Sequence, residues 1–442
     1  MKSTGLLVAT ALLAVLTGVI WWSNKKEAAA TKTEANAAIK ILAFDPAAVH
    51  TVSIRERDKD ALAVARDHDT WRITAPAPLA ADKEAVSSLL ATLSSLSSEH
   101  LIADQASDLA AYGLAAPPLE VTVSLDGNQV KKLLVGDQTP AGNAYYAKLA
   151  DDPRLFTLAG FNKTSLDKTS NDLRDKRLLT ADFDKVSQIE LSNQKGGKPQ
   201  QTTFARNKDA WQIIKPLACR ANSEQVEELV RALGDAKMDV SGPAGEPLTP
   251  AAFRSASPFA QVKVTTASGS QELEIRKSKD DYYAQSSVVP GVFKIAAGSV
   301  ATFDKGLDDL RDKKLFDFGY QDPDKIEIHQ GATAYFFTRS GTDWWGPDGK
   351  KLDQVTVEAV VEKIRALSAS KFPESGFGAP ALELRVTSHD GKRLERVLVS
   401  KQRDSYIAKR ENEPALYELS GKDIADLEES CGKVKPTAAP KK

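Results

Sequence analysis

Apolar and polar positions along this chain follow three different patterns. Residues 5–22, GLLVATALLAVLTGVIWW, form an uncharged run of 18 residues. As a helix such a run reaches about 27 Å, close to the hydrocarbon thickness of a bilayer, so a membrane-spanning helix is predicted there. Elsewhere the apolar period is helical. Val86, Leu89, Leu90, Leu93 and Leu96 mark one face of 84–96, and Val226, Leu229, Val230 and Leu233 mark one face of 224–233. Val357, Val360, Val361, Ile364 and Leu367 do the same in a third segment, and this spacing predicts three amphipathic helices. Strict alternation over 49–55, 119–125, 262–275, 326–328 and 382–386 predicts half-buried antiparallel strands.

These elements recur in a fixed order. Trp71-Arg72-Ile73-Thr74-Ala75-Pro76 and Trp211-Gln212-Ile213-Ile214-Lys215-Pro216 share the pattern W-x-I-x-x-P, and Trp344-Trp345-Gly346-Pro347 stands in the corresponding place of a third copy. Each precedes one of the three helices. Further on, Tyr145-Tyr146-Ala147-Lys148, Tyr282-Tyr283-Ala284-Gln285 and Tyr406-Ile407-Ala408-Lys409 correspond. The first two copies close on Leu173-Arg174-Asp175-Lys176 and Leu310-Arg311-Asp312-Lys313. The third lacks this motif, as a terminal capping repeat often does. The fold class expected is therefore α+β: an N-terminal transmembrane helix, then three tandem diverged modules, each an antiparallel sheet with one main helix. The divisions are an anchor and low-complexity tether at 1–38, modules at 39–180, 181–318 and 319–431, and a disordered basic tail at 432–442. Residues 241–250 read as a loop within the second module.

Composition narrows the function classes. With 59 Lys+Arg against 60 Asp+Glu, the chain has no global field to attract nucleic acid. Only two cysteines occur, Cys219 and Cys431, too few for a thiolate metal cluster; one bridge is conceivable, with Cys431 lying in the expected mobile tail. At the apolar run, Trp21 and Trp22 form an interfacial belt with Lys25 and Lys26 beyond it, which favours a retained anchor over a cleaved signal. Lys2 and the terminal amine balance those two lysines, so charge alone does not set the orientation.

The sequence carries no catalytic, cofactor or metal signature. The five histidines, His50, His68, His100, His329 and His389, are scattered without ligand spacing. Gly196-Gly197-Lys198 lacks the strand-loop-helix frame of a phosphate loop. Paired acids such as Asp151-Asp152, Asp280-Asp281 and Asp308-Asp309 point to opposite faces if extended and read as solvated turns. Arg174-Asp175 and Arg311-Asp312 could offer a guanidinium fork to an anion; the stronger reading is that they fix module ends through backbone carbonyls and a neighbouring module. Trp71 and Trp211 read as two copies of one core position. Of Trp344 and Trp345, alternation sends one ring inward and leaves the other for solvent or a partner.

The anchor, the W-x-I-x-x-P strand, Ala80-Ala81-Asp82 at the helix start, Tyr112-Gly113-Leu114, Val135-Gly136-Asp137, the Tyr-Tyr-Ala-Lys strand and Leu-Arg-Asp-Lys occur in an order that resembles the bacterial family known as domain of unknown function 4340. The first copy keeps the order best. The second lacks the Tyr-Gly-Leu and Val-Gly-Asp elements, and the third retains Gly376-Phe377-Gly378 as their echo. The resemblance implies a single-pass inner-membrane protein with its soluble part outside the cytoplasm, associated with ABC-type transporter components, and it carries no catalytic residues. The expected function is a non-enzymatic tethered scaffold with protein partners in a membrane complex and no cofactor. The alternative is an envelope hydrolase or glycan-binding protein working through inter-module clefts. The candidate interface residues are Trp344, Trp345, Arg174, Asp175, Arg311 and Asp312.

Overall fold

The computed structural model of the protein describes residues 39–98, 100–195, 197–208, 210–240, 249–320 and 323–437. The 5–22 span and the 241–248 part of the expected loop lie outside them. Among the described residues no helix is long and apolar enough to cross a membrane. Antiparallel sheets dominate, with few helices, and the chain divides into two compact units between Lys176 and Arg177.

The first unit is built on a nine-stranded sheet in the order Leu79–Ala80, Thr70–Ala75, Leu62–Asp67, Val49–Glu56, Leu119–Leu125, Val130–Gln138, Ala144–Leu149, Leu155–Ala159, Leu101–Ala103. The chain starts mid-sheet at Val49–Glu56 and meanders to one edge. It then forms the Lys83–Ser94 helix and returns to the middle, where Leu119–Leu125 pairs with Val49–Glu56 and the second meander begins. The alternation of Leu119–Leu125 is realised residue by residue, with Leu119, Val121, Val123 and Leu125 buried.

The second unit holds two sheets with the same path. One has eight strands, with Gln188–Lys195 and Ser257–Thr266 paired at its middle. The other has seven, with Lys325–Gln330 and Pro380–Ser388 in those places. Their helices are Ser223–Gly234 and Gln354–Ala366. The modules that sequence patterning anticipates recur here as separate sheets, and one continuous apolar cluster from Leu178 to Cys431 takes in both.

Each of the three helices begins with the same local chemistry. The side chains of Asp82, Asn222 and Asp353 accept from the backbone N–H of Ala85, Gln225 and Thr356 at 2.9, 3.2 and 3.0 Å, which satisfies an N–H that the helix leaves orphaned. Four residues after each cap the buried stripe starts: Val86, Leu89, Leu90, Leu93; Val226, Leu229, Val230, Leu233; Val357, Val360, Val361, Ile364. The tryptophans also coincide. Trp71, Trp211 and Trp344 pair across strands with Arg66, Arg206 and Arg339, and all three are buried.

Two expectations for the C-terminus are corrected. Residues 432–437 are ordered onto the third sheet's module: Asp353 N–H donates to the Lys435 carbonyl and Thr437 N–H to the Lys351 carbonyl, each at 2.9 Å, while Val434 packs against the core. Lysine and proline content suggested disorder, but two backbone pairings and one apolar contact at a helix start outweigh composition. Residues 438–442 lie outside the described set. Cys431, in turn, is not on a mobile segment; it is buried in the Gly421–Gly432 helix, and both cysteines are free thiols. Burial pushes the Cys431 thiol up to about 12 and raises Cys219 in the same direction. A thiol with a pKa near 12 is about 0.01% thiolate at pH 8, and the thiolate is the nucleophile. N-ethylmaleimide at pH 8 is therefore expected to leave both cysteines unlabelled in the native chain and to label both in 8 M urea (about the usual unfolding concentration), as read by intact mass. Rapid native labelling of Cys431 would mean that the Gly421–Gly432 helix opens locally.

Candidate functional site

The closing motifs act on the residue just before each helix cap. Ala81 bridges Arg174, with Asp82 N–H donating to the Leu173 carbonyl and Asp175 N–H to the Ala80 carbonyl. Ala221 bridges Arg311 in the same way, through Asn222 N–H to Leu310 and Asp312 N–H to Arg220. In the third sheet's module Leu352 bridges Pro436. The backbone closure is thus kept where the Leu-Arg-Asp sequence is lost, because it uses main-chain groups and tolerates Lys435-Pro436-Thr437.

Arg174 and Arg311 are both 9% exposed. Burial lowers the pKa of Arg174. The Arg311 guanidinium lies 4.9 Å from the Phe372 ring centroid and donates through Nη1 to Asp308 at 3.1 Å, so it spans from its own module to the next. Asp175 is engaged within the first unit. Trp344 belongs to the core at 1% exposure, while its neighbour Trp345 is half-buried.

Asp312 leads into a charged junction between the eight- and seven-stranded sheets. Its carboxylate meets Arg220 Nη1 at 2.7 Å and accepts from Lys314 N–H at 2.9 Å. Arg220 Nε then reaches Glu413 Oε1 at 3.1 Å, and Arg220 Nη2 donates to the Lys314 carbonyl. Glu413 also takes Arg410 Nε at 2.7 Å and the Tyr417 hydroxyl at 2.6 Å. Arg410 continues to Glu395 at 3.0 Å and to the Leu315 carbonyl. Glu395, only 3% exposed at its side chain, accepts from Asp317 N–H at 3.2 Å. Two arginines and three carboxylates therefore share one partly dry seam, stitched to the adjacent Lys314 and Leu315 carbonyls.

The seam's protonation follows its burial. For Arg220 burial opposes the charge, but Asp312 and Glu413 outweigh it and hold the pKa above its ordinary value. For Asp312 burial is the larger influence, and its pKa is raised in spite of Arg220. Burial beside Glu413 also pushes the Tyr417 phenol up. These groups are held as an ionic array in which each of the three carboxylates is engaged by an arginine.

Sequence reasoning missed Arg220, Arg410, Glu413, Glu395 and Tyr417. One signal was available: Arg220 stands where the first copy has Ala80, the single charged residue in an otherwise small-residue approach to the cap. Its partners lie about 90 and 190 residues downstream, beyond any local spacing rule.

A second convergence lies in the first unit. A Cβ on Gly136 would collide with the Tyr112 carbonyl oxygen, and a Cβ on Gly113, whose φ is +69°, would meet the Asp137 carboxylate. The Tyr112 ring sits edge-on to Tyr146, with centroids 4.8 Å apart. The Tyr-Gly-Leu, Val-Gly-Asp and Tyr-Tyr-Ala-Lys segments are thus one packed feature, in which glycine permits close backbone approach.

A protein-family model described as "Domain of unknown function (DUF4340)" matches residues 71–210 and again 211–383. Each match opens on the tryptophan of a W-x-I-x-x-P strand, so the family's unit runs out of phase with the sheets. No curated protein and no solved structure matches the chain.

Proposed function

This chain belongs to the family of domain of unknown function 4340, and on that premise we propose that it is a non-enzymatic scaffold of the cell envelope, tethered by its 5–22 span. In this reading three diverged copies of one sheet-and-helix module stand outside the cytoplasm and dock a membrane complex of the ABC-transporter type. The observation that supports it is the Arg220–Asp312–Glu413–Arg410–Glu395 seam. Charged residues at the junction hold the second and third modules in fixed register, which suits a surface that must be presented rigidly. An inter-module hydrolase would use such carboxylates free; here Asp312 and Glu413, from two modules, are both engaged by Arg220.

The test is co-purification of the C-terminally tagged full chain from mild detergent, with chemical cross-linking and mass spectrometry. A membrane-complex subunit is expected to be recovered, with a Trp345→Ala variant recovering less than about a tenth as much if that ring is an anchor of the interface. Purification of the chain alone, together with intact assembly of every membrane complex after deletion of 39–437, would sink the proposal.

A further inference from the structure

In the eight-stranded sheet the strand Lys198–Asn207 outruns one of its neighbours. It pairs with Gln188–Lys195 from Lys198 to Ala205, whereas its pairing with Ala210–Lys215 stops at Thr203. Residues 198–202 therefore form a sheet edge with no strand partner among the described residues. The first sheet has no such overhang, because Leu62–Asp67 begins only one residue before its own last pairing, Ala63 with Ala75.

One bond sets the direction of the backbone groups. Arg206 N–H donates to the Ser187 carbonyl at 2.9 Å, so the even-numbered residues of this strand turn their amide groups toward Gln188–Lys195 and the odd-numbered ones away from it. Gln201 thus presents both N–H and C=O to the open edge, and Pro199 presents its C=O alone. Along that edge runs a depression of about 550 Å³, lined by 199–202, Lys215, Pro216 and Leu307. Leu307 N–H donates to Gln200 Oε1 at 3.3 Å, which ties the edge to the Leu307–Leu310 helix. Lys215 is the one charged residue of the lining. It is exposed, and its ammonium has no ion pair or hydrogen bond among the described residues.

A second copy of this chain fits the edge poorly. Antiparallel self-pairing about Gln201 yields two bonds and then sets Pro199, which has no N–H, against Thr203, which is already paired with Lys215. Proline and lysine on an edge also oppose joining to its own kind. We infer that this edge takes an extended, acidic segment of a partner protein by strand addition, with main-chain bonds to Gln201 and Pro199 and a carboxylate against Lys215. The inference rests on the scaffold reading for its occupant and names the edge at which that occupant docks.

The test titrates the full chain in detergent, by calorimetry, with three capped hexapeptides: Thr-Val-Glu-Val-Glu-Thr, its counterpart Thr-Val-Lys-Val-Lys-Thr, and the glutamate peptide N-methylated at its two central residues, which blocks both of its edges. The glutamate peptide is expected to saturate with a Kd of about 0.1–1 mM, the lysine peptide to bind about fivefold more weakly, and the methylated one not to saturate. Gln201→Pro removes an outward N–H without touching the ladder and should abolish binding at an unchanged urea midpoint. Lys215→Glu, at an exposed position, should reverse the charge preference and decides the matter if Gln201→Pro does not fold. Ala334→Pro alters the third sheet's own open edge, where Thr333–Ser340 outruns Asp343–Trp345, and should leave binding unaltered. The inference is overturned if the glutamate peptide does not saturate by about 10 mM, if the methylated or lysine peptide binds as well, if Lys215→Glu keeps the parent's preference, if Ala334→Pro abolishes binding, or if sedimentation shows a dimer that Gln201→Pro dissolves. Co-purification separates the two readings. A membrane-complex subunit recovered equally by the parent and by folded Gln201→Pro keeps the scaffold and overturns the edge; no subunit with either, while the glutamate peptide still binds at Gln201, overturns the scaffold and keeps the edge.

Discussion

Glu413→Ala is expected to destabilise the 177–437 unit by about 3–5 kcal/mol, because it strips two arginines of a shared partner in a largely desolvated seam. Glu413, Arg220 and Arg410 have side chains only 12, 15 and 12% exposed, so water replaces the lost carboxylate poorly. The Tyr417 hydroxyl, which donates to Glu413 at 2.6 Å, would also be left without its acceptor. In urea, with a slope near 3 kcal/mol per M for a unit of this size, the midpoint falls by about 1–2 M, read from tryptophan fluorescence. Glu413→Gln keeps the shape and an acceptor for Tyr417 and should fall between the two. Glu429→Ala, whose partner Lys433 is on the surface, should leave the midpoint in place. A Glu413→Ala midpoint within error of the parent would mean that the seam is wet and does not fix the junction.

What the sequence made legible is what depends on short spacing. Helical stripes such as Val226, Leu229, Val230 and Leu233 and alternating strands such as 119–125 lie within one or two turns or pleats, and their period is read directly. The same holds for Arg311-Asp312 as a junction element, since the repeat itself marks the place. The seam was hidden because Arg220, Glu395 and Glu413 are far apart in the chain and each is ordinary in its own neighbourhood. The ordering of 432–437 was hidden for a related reason: a backbone pairing between Leu352 and Pro436 leaves no mark on side-chain identity. The 5–22 span, the clearest local signal in the chain, lies outside the described residues.

Trp344→Ala is expected to match or exceed the cost of Glu413→Ala, at about 3–5 kcal/mol, by emptying the site of a large buried aromatic ring. Strand register sets the difference between the two rings. Trp344 faces Arg339 across the strand pair as Trp71 faces Arg66 and Trp211 faces Arg206, so it occupies the core position common to all three sheets. Trp345 takes the alternate face, where the first two copies carry Arg72 and Gln212. Trp345→Ala should therefore cost about 1 kcal/mol or less. Because adjacent strand residues point to opposite faces, a slip of one residue would exchange the two rings. Urea midpoints in which Trp345→Ala is the damaging substitution and Trp344→Ala the mild one would place the third sheet's edge strand one residue out of register, and would move the exposed aromatic from Trp345 to Trp344.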